Sequence, residues 1–85
     1  MRAVKDDLIG KVIHFYDGLG VAIVRLDKKI KVLDKLKFVK GDNSFEQEVS
    51  SMQIEHKPIL EGKKGEEVGI KVDQKISNGS LVYLI

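Results

Sequence analysis

The 85-residue chain reads as a small all-β barrel, and three observations carry that reading. A short phrase recurs three times, as Leu33-Asp34-Lys35-Leu36-Lys37-Phe38, Gly65-Glu66-Glu67-Val68-Gly69-Ile70 and Gly79-Ser80-Leu81-Val82-Tyr83-Leu84. Each copy opens on a turn residue, continues with a small polar or acidic one, and then sets apolar residues at every second position. Period two marks a strand with one buried face. Stretches rich in β-branched and aromatic residues are also separated by Gly, Asp and Asn clusters, which is the punctuation of strands and turns. Finally, 42% apolar and 33% charged residues describe a folded domain and not a disordered segment.

Taken in order, residues 1–7 form an N-terminal lead-in without a hydrophobic signal region. Residues 10–16 are the first strand. Asp17-Gly18-Leu19-Gly20 is a turn, and residues 21–26 are the second strand. In it Ala22, Val24 and Leu26 share one side, while Val21, Ile23 and Arg25 share the other. After Asp27-Lys28-Lys29 comes the extended Ile30-Lys31-Val32 and a third strand over 35–39. Leu26, Ile30, Leu33 and Leu36 also recur at helical spacing, which would make residues 25–40 a basic amphipathic helix. Ile30, Val32, Leu36 and Phe38 fit a strand as well, and no pair of caps brackets a helix.

Residues 45–55 read as a fourth strand whose pattern slips. Phe45 and Val49 have one parity and Met52 and Ile54 the other, which requires a bulge or sharp bend near Ser50-Ser51. Residues 57–64, around the single proline Pro58, read as a loop. Residues 67–72 are a fifth strand. Asn78-Gly79 is a turn, and residues 81–85 are the sixth.

The length supports one domain over residues 1–85 with a modest core, burying roughly 60–65% of the unfolded surface. The absence of cysteine removes disulfides and thiolate metal sites. No apolar run reaches the roughly 20 residues of a membrane helix, so the expected setting is cytoplasmic, away from membranes. A net charge of +2 is too small to argue for a nucleic-acid partner by itself.

The order of phrases resembles the second domain of translational GTPases such as elongation factor Tu. They are Gly10 to Val12, Gly18 to Val24, Ile30 to Leu36, Phe45 to Met52, Gly65 to Ile70, and Val82-Tyr83. The resemblance covers nearly the whole chain from about residue 8. Similar domains also occur as a C-terminal module in some peptidases and as short stand-alone proteins. The fold it implies is a closed six-stranded, mainly antiparallel barrel, which resolves residues 25–40 as turn plus strand. It further implies a non-catalytic module that binds RNA or a component of the translation machinery such as the ribosome. This sequence departs from that pattern at Leu33-Asp34 and Gly79-Ser80, where the family has Gly-Asp. It also has Leu19 where the family carries a basic residue, which weakens the transfer of ribosome contact.

The residues themselves carry no catalytic constellation. No phosphate-binding Gly-x-x-x-x-Gly-Lys-Ser/Thr loop is present. Gly62-Lys63-Lys64-Gly65 fits a solvated turn better than a phosphate grip. The two histidines are too few for a metal centre: His14 reads as a half-buried strand residue and His56 as an exposed one. Carboxylates are many, but acid–base work needs a pair held in a cleft, and a small barrel is filled by its own side chains. No serine sits in a nucleophile elbow. No enzyme activity and no cofactor are expected.

Two surfaces are candidates. Arg25, Lys28, Lys29, Lys35 and Lys37 crowd one third of the chain and would form a basic ridge for RNA phosphates. The plainer account of the same ridge is a solvated outer face that discourages edge-to-edge aggregation. Leu19, with Val21 and Ile23 nearby, and Ile59-Leu60 are apolar residues at exposed positions, as a contact with another protein requires. The alternative function is therefore a protein-interaction, accessory or scaffold module that binds no nucleic acid.

Overall fold

The computed structural model describes residues 8–85. The lead-in expected at residues 1–7 lies outside them. The described chain is all β and antiparallel throughout. Its strands are β1 (Leu8–Tyr16), β2 (Val21–Leu26), β3 (Ile30–Lys31), β4 (Lys35–Lys40) and β5 (Asn43–Glu48). They continue with β6 (Met52–Ile54), β7 (Lys57–Ile59), β8 (Glu61–Gly62), β9 (Glu67–Lys71) and β10 (Leu81–Leu84). Residues 25–40 hold strand and turn and no helix. There β-branched Ile30 and Val32 and the alternating Leu36 and Phe38 prevail over the leucine spacing.

Eight strands form one sheet in the order β5-β4-β10-β1-β2-β9-β6-β7, and β3 pairs with β8 in a small second sheet. Among the described residues no ladder joins β5 to β7, so the sheet is not closed. The expectation of six strands sealed into a barrel is thus met only at the level of an antiparallel all-β fold. The strand expected over 45–55 is two strands, because the backbone leaves the ladder at residues 49–51 and crosses to the far side of the sheet. The loop expected at 57–64 contains β7 and β8. Pro58 sits in β7, an edge strand, where a missing N–H is tolerated.

The repeated phrase has a single structural meaning. Each copy ends a reverse turn whose third residue is left-handed: Leu33 at φ 84°, Gly65 at φ 89° and Gly79 at φ 88°. The next residue donates its N–H back across the turn, from Asp34 to Lys31, Glu66 to Lys63 and Ser80 to Ser77, at 3.1 Å in each. Each turn then docks on one buried residue through two backbone bonds. Leu33 N–H donates to the Val49 carbonyl and Val49 N–H to that of Asp34, at 2.9 and 2.8 Å. Gly65 and Glu66 exchange the same pair with Leu26, at 2.8 and 2.9 Å. Gly79 and Ser80 do so with Val12, at 2.7 and 2.8 Å. The polar second residue also uses its side chain. Asp34 accepts from Lys31 N–H, Glu66 accepts from Lys63 N–H, and the Ser80 hydroxyl donates to the Ser77 carbonyl. The apolar positions that follow drop into the core, as Leu36 and Phe38, Val68 and Ile70, and Val82.

That core gathers Ile9, Val12, Ala22, Val24, Leu26, Ile30, Leu36, Phe38, Val49, Met52, Val68, Ile70, Val72 and Val82. Phe45 closes one end by stacking on Phe38 with ring centroids 5.1 Å apart. The inside is packed by apolar side chains, which leaves the outer face as the surface open to contact.

Candidate binding groove

Strands of a one-sided sheet carry polar residues on the solvent face. β2 departs from that rule. Its inward residues Ala22, Val24 and Leu26 are buried, and its outward ones begin with half-buried Val21 and Ile23 before reaching exposed Arg25. Across the ladder, Val21 faces Tyr16 on β1 and Lys71 on β9, while Ile23 faces Gly69. Gly69 in turn faces Gln53 on β6. A glycine between Ile23 and Gln53 leaves a depression on the outer face. A Cβ there would lie 3.1 Å from Val21 Cγ1 and 3.2 Å from Gln53 Cγ.

The turn after β1 adds a wall. Leu19 N–H and Gly20 N–H both donate to the Tyr16 carbonyl, which holds Leu19 over this face with 60% of its surface exposed. His14 meets Tyr16 edge-on, with centroids 4.4 Å apart, and so braces the tyrosine ring beside the depression. His14 is exposed, not half-buried as its strand position implied, because a bulge between Val12 and His14 turns it outward. Together Tyr16, Leu19, Val21, Ile23, Gln53 and Gly69 line a groove of about 310 Å³ whose rim is Glu55, His56 and Glu67.

The rim carries strain. Glu55 and His56 form the two-residue turn between β6 and β7 with φ of 51° and 68°. Two consecutive left-handed residues in such a hairpin ordinarily call for Asn-Gly. Nothing in the core needs a glutamate or histidine there, since both are exposed.

The basic ridge is built differently from the sequence expectation. Lys35 stands opposite Glu48 and Lys37 opposite Glu46 in the β4–β5 ladder, and Arg25 stands opposite Glu67. The Lys29 ammonium lies 2.9 Å from the Glu61 carboxylate. That bond and the charge of Lys29 hold the Glu61 carboxyl below its ordinary pKa. Lys28 lies in the same exposed connection. Arg25, Lys29, Lys35 and Lys37 therefore alternate with carboxylates, which ladder positions and the Lys29–Glu61 pair place beside them. Of the apolar candidates, Leu19 belongs to the groove. Ile59 packs against the core from β7, and Leu60 is 79% exposed elsewhere, its carbonyl accepting from Val32 N–H.

A second depression of about 300 Å³ lies between the β4–β5 hairpin and residues 74–80, over Phe38 and Phe45. Its one fully buried polar side chain, Ser80, is spent on the Ser77 carbonyl. Among the described residues no group of three or more His, Asp or Glu gathers as a metal site requires, and no helix is long and apolar enough to cross a membrane. Sequence reasoning missed Gln53, Gly69, Glu55 and Glu67, whose roles depend on the β2–β9–β6 register. The apolar outer parity of Val21 and Ile23 was the available signal.

No known family model matches the chain. An uncharacterized protease of Methanocaldococcus jannaschii is 38% identical over 78 residues, which is 91% of this chain and 19% of that protein. The chain thus spans about a fifth of the curated relative it matches. The C-terminal domain of a Geobacillus thermoleovorans protein, named as a U32 peptidase, superposes with a TM-score of 0.86 at 15% identity. That match covers 100% of this chain and 98% of the domain. The selenomethionine form of the same domain gives a TM-score of 0.86 at 16% identity, over 91% and 98%. This chain therefore has the fold of that C-terminal domain. The resemblance to a translational GTPase domain is corrected by these matches, and the translation-machinery and RNA-binding roles it implied are withdrawn with it. The phrases that carried it are turn-and-strand devices which any such β fold can share.

Proposed function

We propose that this chain is the accessory β-module of a U32 peptidase-like protein, and that it holds polypeptide in its outer groove while contributing no catalytic group. Likeness to a separately crystallised C-terminal domain over the full chain is the observation that carries the module reading. The 38% identity to an uncharacterized protease, over 91% of the chain, supports the same context. The groove supports the polypeptide part, because an apolar depression rimmed by polar groups is how a surface without a cleft retains a side chain. The non-catalytic part belongs to the proposal and is decided by the test that follows. The cytoplasmic setting read from composition belongs to this proposal as well.

The test uses reduced, iodoacetamide-alkylated lysozyme as an unfolded polypeptide. Fluorescence anisotropy is expected to show saturable capture by the full chain, lost in Leu19→Asp, with intact lysozyme recovered by mass spectrometry. Cleavage by the chain itself would end the non-catalytic reading. Capture that is absent, or unchanged by Leu19→Asp, would end the groove reading.

A further inference from the structure

We propose that the groove selects an extended polypeptide segment in which an apolar anchor residue lies within a few positions of lysine or arginine. This rests on the polypeptide-holding role above and adds its chemical class. Three features of the groove define the occupant.

The first is size. At about 310 Å³ the groove lies at the bottom of the roughly 300–1,000 Å³ range of small-molecule sites, so it suits one large side chain better than a cofactor. Gly69 forms its floor, and any side chain there would press on Val21 and Gln53. The aliphatic Leu19, Val21 and Ile23 and the ring of Tyr16 make the walls, which suits a leucine or phenylalanine anchor.

The second is polarity along its length. Gln53 pairs with Gly69 across the β6–β9 ladder. Glu55 comes two residues after Gln53, and Glu67 two residues before Gly69. Because the strands are antiparallel, both carboxylates fall at the same end. Leu19, Tyr16 and Val21 mark the other end. Two residues of extended chain span roughly 7 Å, so an anchor over Gly69 brings its near neighbours to the carboxylates.

The third is carboxylate charge that no cation of the lining itself balances. Among the described residues the groove lining has two carboxylates, one histidine and no lysine or arginine, although the whole chain carries +2. Neither Glu55 nor Glu67 lies in an ion pair among the described residues. Arg25 stands across the ladder from Glu67 but outside the lining, and Lys71 faces Val21 at the apolar end. A cation on the occupant meets both carboxylates, while an acidic segment is repelled by them. The left-handed Glu55 and His56 hold one of those carboxylates at the rim in a turn that local preference would assign to other residues.

The experiment titrates the isotope-labelled full chain with heptapeptides, followed by amide chemical shifts. Each peptide has one phenylalanine and two lysines, in either order. Controls replace the lysines by glutamates or the phenylalanine by serine. Shifts are expected at Leu19, Val21, Ile23 and Gly69. The lysine peptide should bind about fivefold or more tightly than the glutamate one, as two solvent-exposed charge pairs provide. That preference should shrink to near parity in the Glu55→Gln/Glu67→Gln variant, whose dispersed amide spectrum verifies its fold. Should the variant not fold, the two peptides on the unaltered chain still decide. Three results would overturn the proposal: equal affinity for lysine and glutamate peptides, no saturable shift by about 1 mM peptide, or shifts that follow protein concentration without peptide. If alkylated lysozyme is captured but no charge preference appears, this inference falls and the polypeptide-holding role stands. If neither binds, both fall.

Discussion

Leu33 is the residue at which local chemistry and fold disagree most. Its φ of 84° places a γ-branched side chain where the two sister turns have Gly65 and Gly79. A left-handed non-glycine residue costs about 1–2 kcal/mol, and the side chain recovers little of this because it is 67% exposed. Leu33→Gly removes the clash but adds freedom to the unfolded chain worth roughly 0.4–1 kcal/mol. The net expectation is a gain of about 0.5–1 kcal/mol, or roughly 3–6 °C in Tm, measurable by thermal circular dichroism. A loss of stability would show that Leu33 makes a contact its exposure does not reveal. The sequence itself signalled this position, since Leu33 occupies the glycine slot of a repeated phrase; the docking of that turn on Val49 was not legible there. Glu61 supplies a second residue-scale prediction. Its folded pKa is depressed, by the hydrogen bond from Lys29 first and by that cation's charge second. A depressed carboxylate stabilises the fold above its unfolded pKa, and that contribution fades as pH falls through the lower folded value. Lys29→Gln should move the Glu61 carbon titration midpoint up toward the ordinary glutamate range. An unchanged midpoint would show that the ion pair does not persist in solution.

Among the elements, β5 depends on one side chain. Its outer edge has no partner strand, yet Gln47 donates to the Lys71 carbonyl at 2.8 Å and accepts from Asp73 N–H at 2.9 Å. The side-chain amide thus stands in for a ladder rung between β5 and the end of β9. Two such bonds at about 0.5–1.5 kcal/mol each, partly replaced by water, make Gln47→Ala destabilising by about 1–2 kcal/mol. Urea denaturation checks this, and an unchanged midpoint would mean that β5 is held by β4 alone. Gln47 was unreadable beforehand because its partners lie 24 and 26 residues away. The same limit applied to β6. The parity slip between Val49 and Met52 announced a break, but not that the chain would cross to β9, since one strand's pattern says which face is buried and not which neighbour lies beside it. The groove divides the same way. Val21 and Ile23 announced an apolar outer face, whereas Gly69, Gln53 and the two rim glutamates join it only through register.

At the scale of the molecule, the question is how an unclosed sheet distributes its stability. β1, β2, β9 and β10 each have strands on both sides, and β5 and β7 have one. The three docked turns reinforce the centre, because Val12, Leu26 and Val49 are buried and give their N–H groups to turn carbonyls. Amides paired on both sides and covered by core exchange only with global unfolding, while edges open locally at lower free energy. Native-state hydrogen exchange should therefore grade outward. The amides of Val12, Val24 and Leu26 should follow global stability, and so should Val49, although it lies between strands. The amides of β5 and of Lys57 and Ile59 in β7 should exchange faster. Pro58 interrupts β7 and leaves that edge fewer donors, so β7 should open before β5, which Gln47 still fastens. Gln47→Ala should then bring β5 down to the protection of β7 without altering Val12. Equal, global protection across β5, β7 and β1 would instead describe a sheet whose ends are joined in solution, and the account of Gln47 as a lone fastener would fall with it.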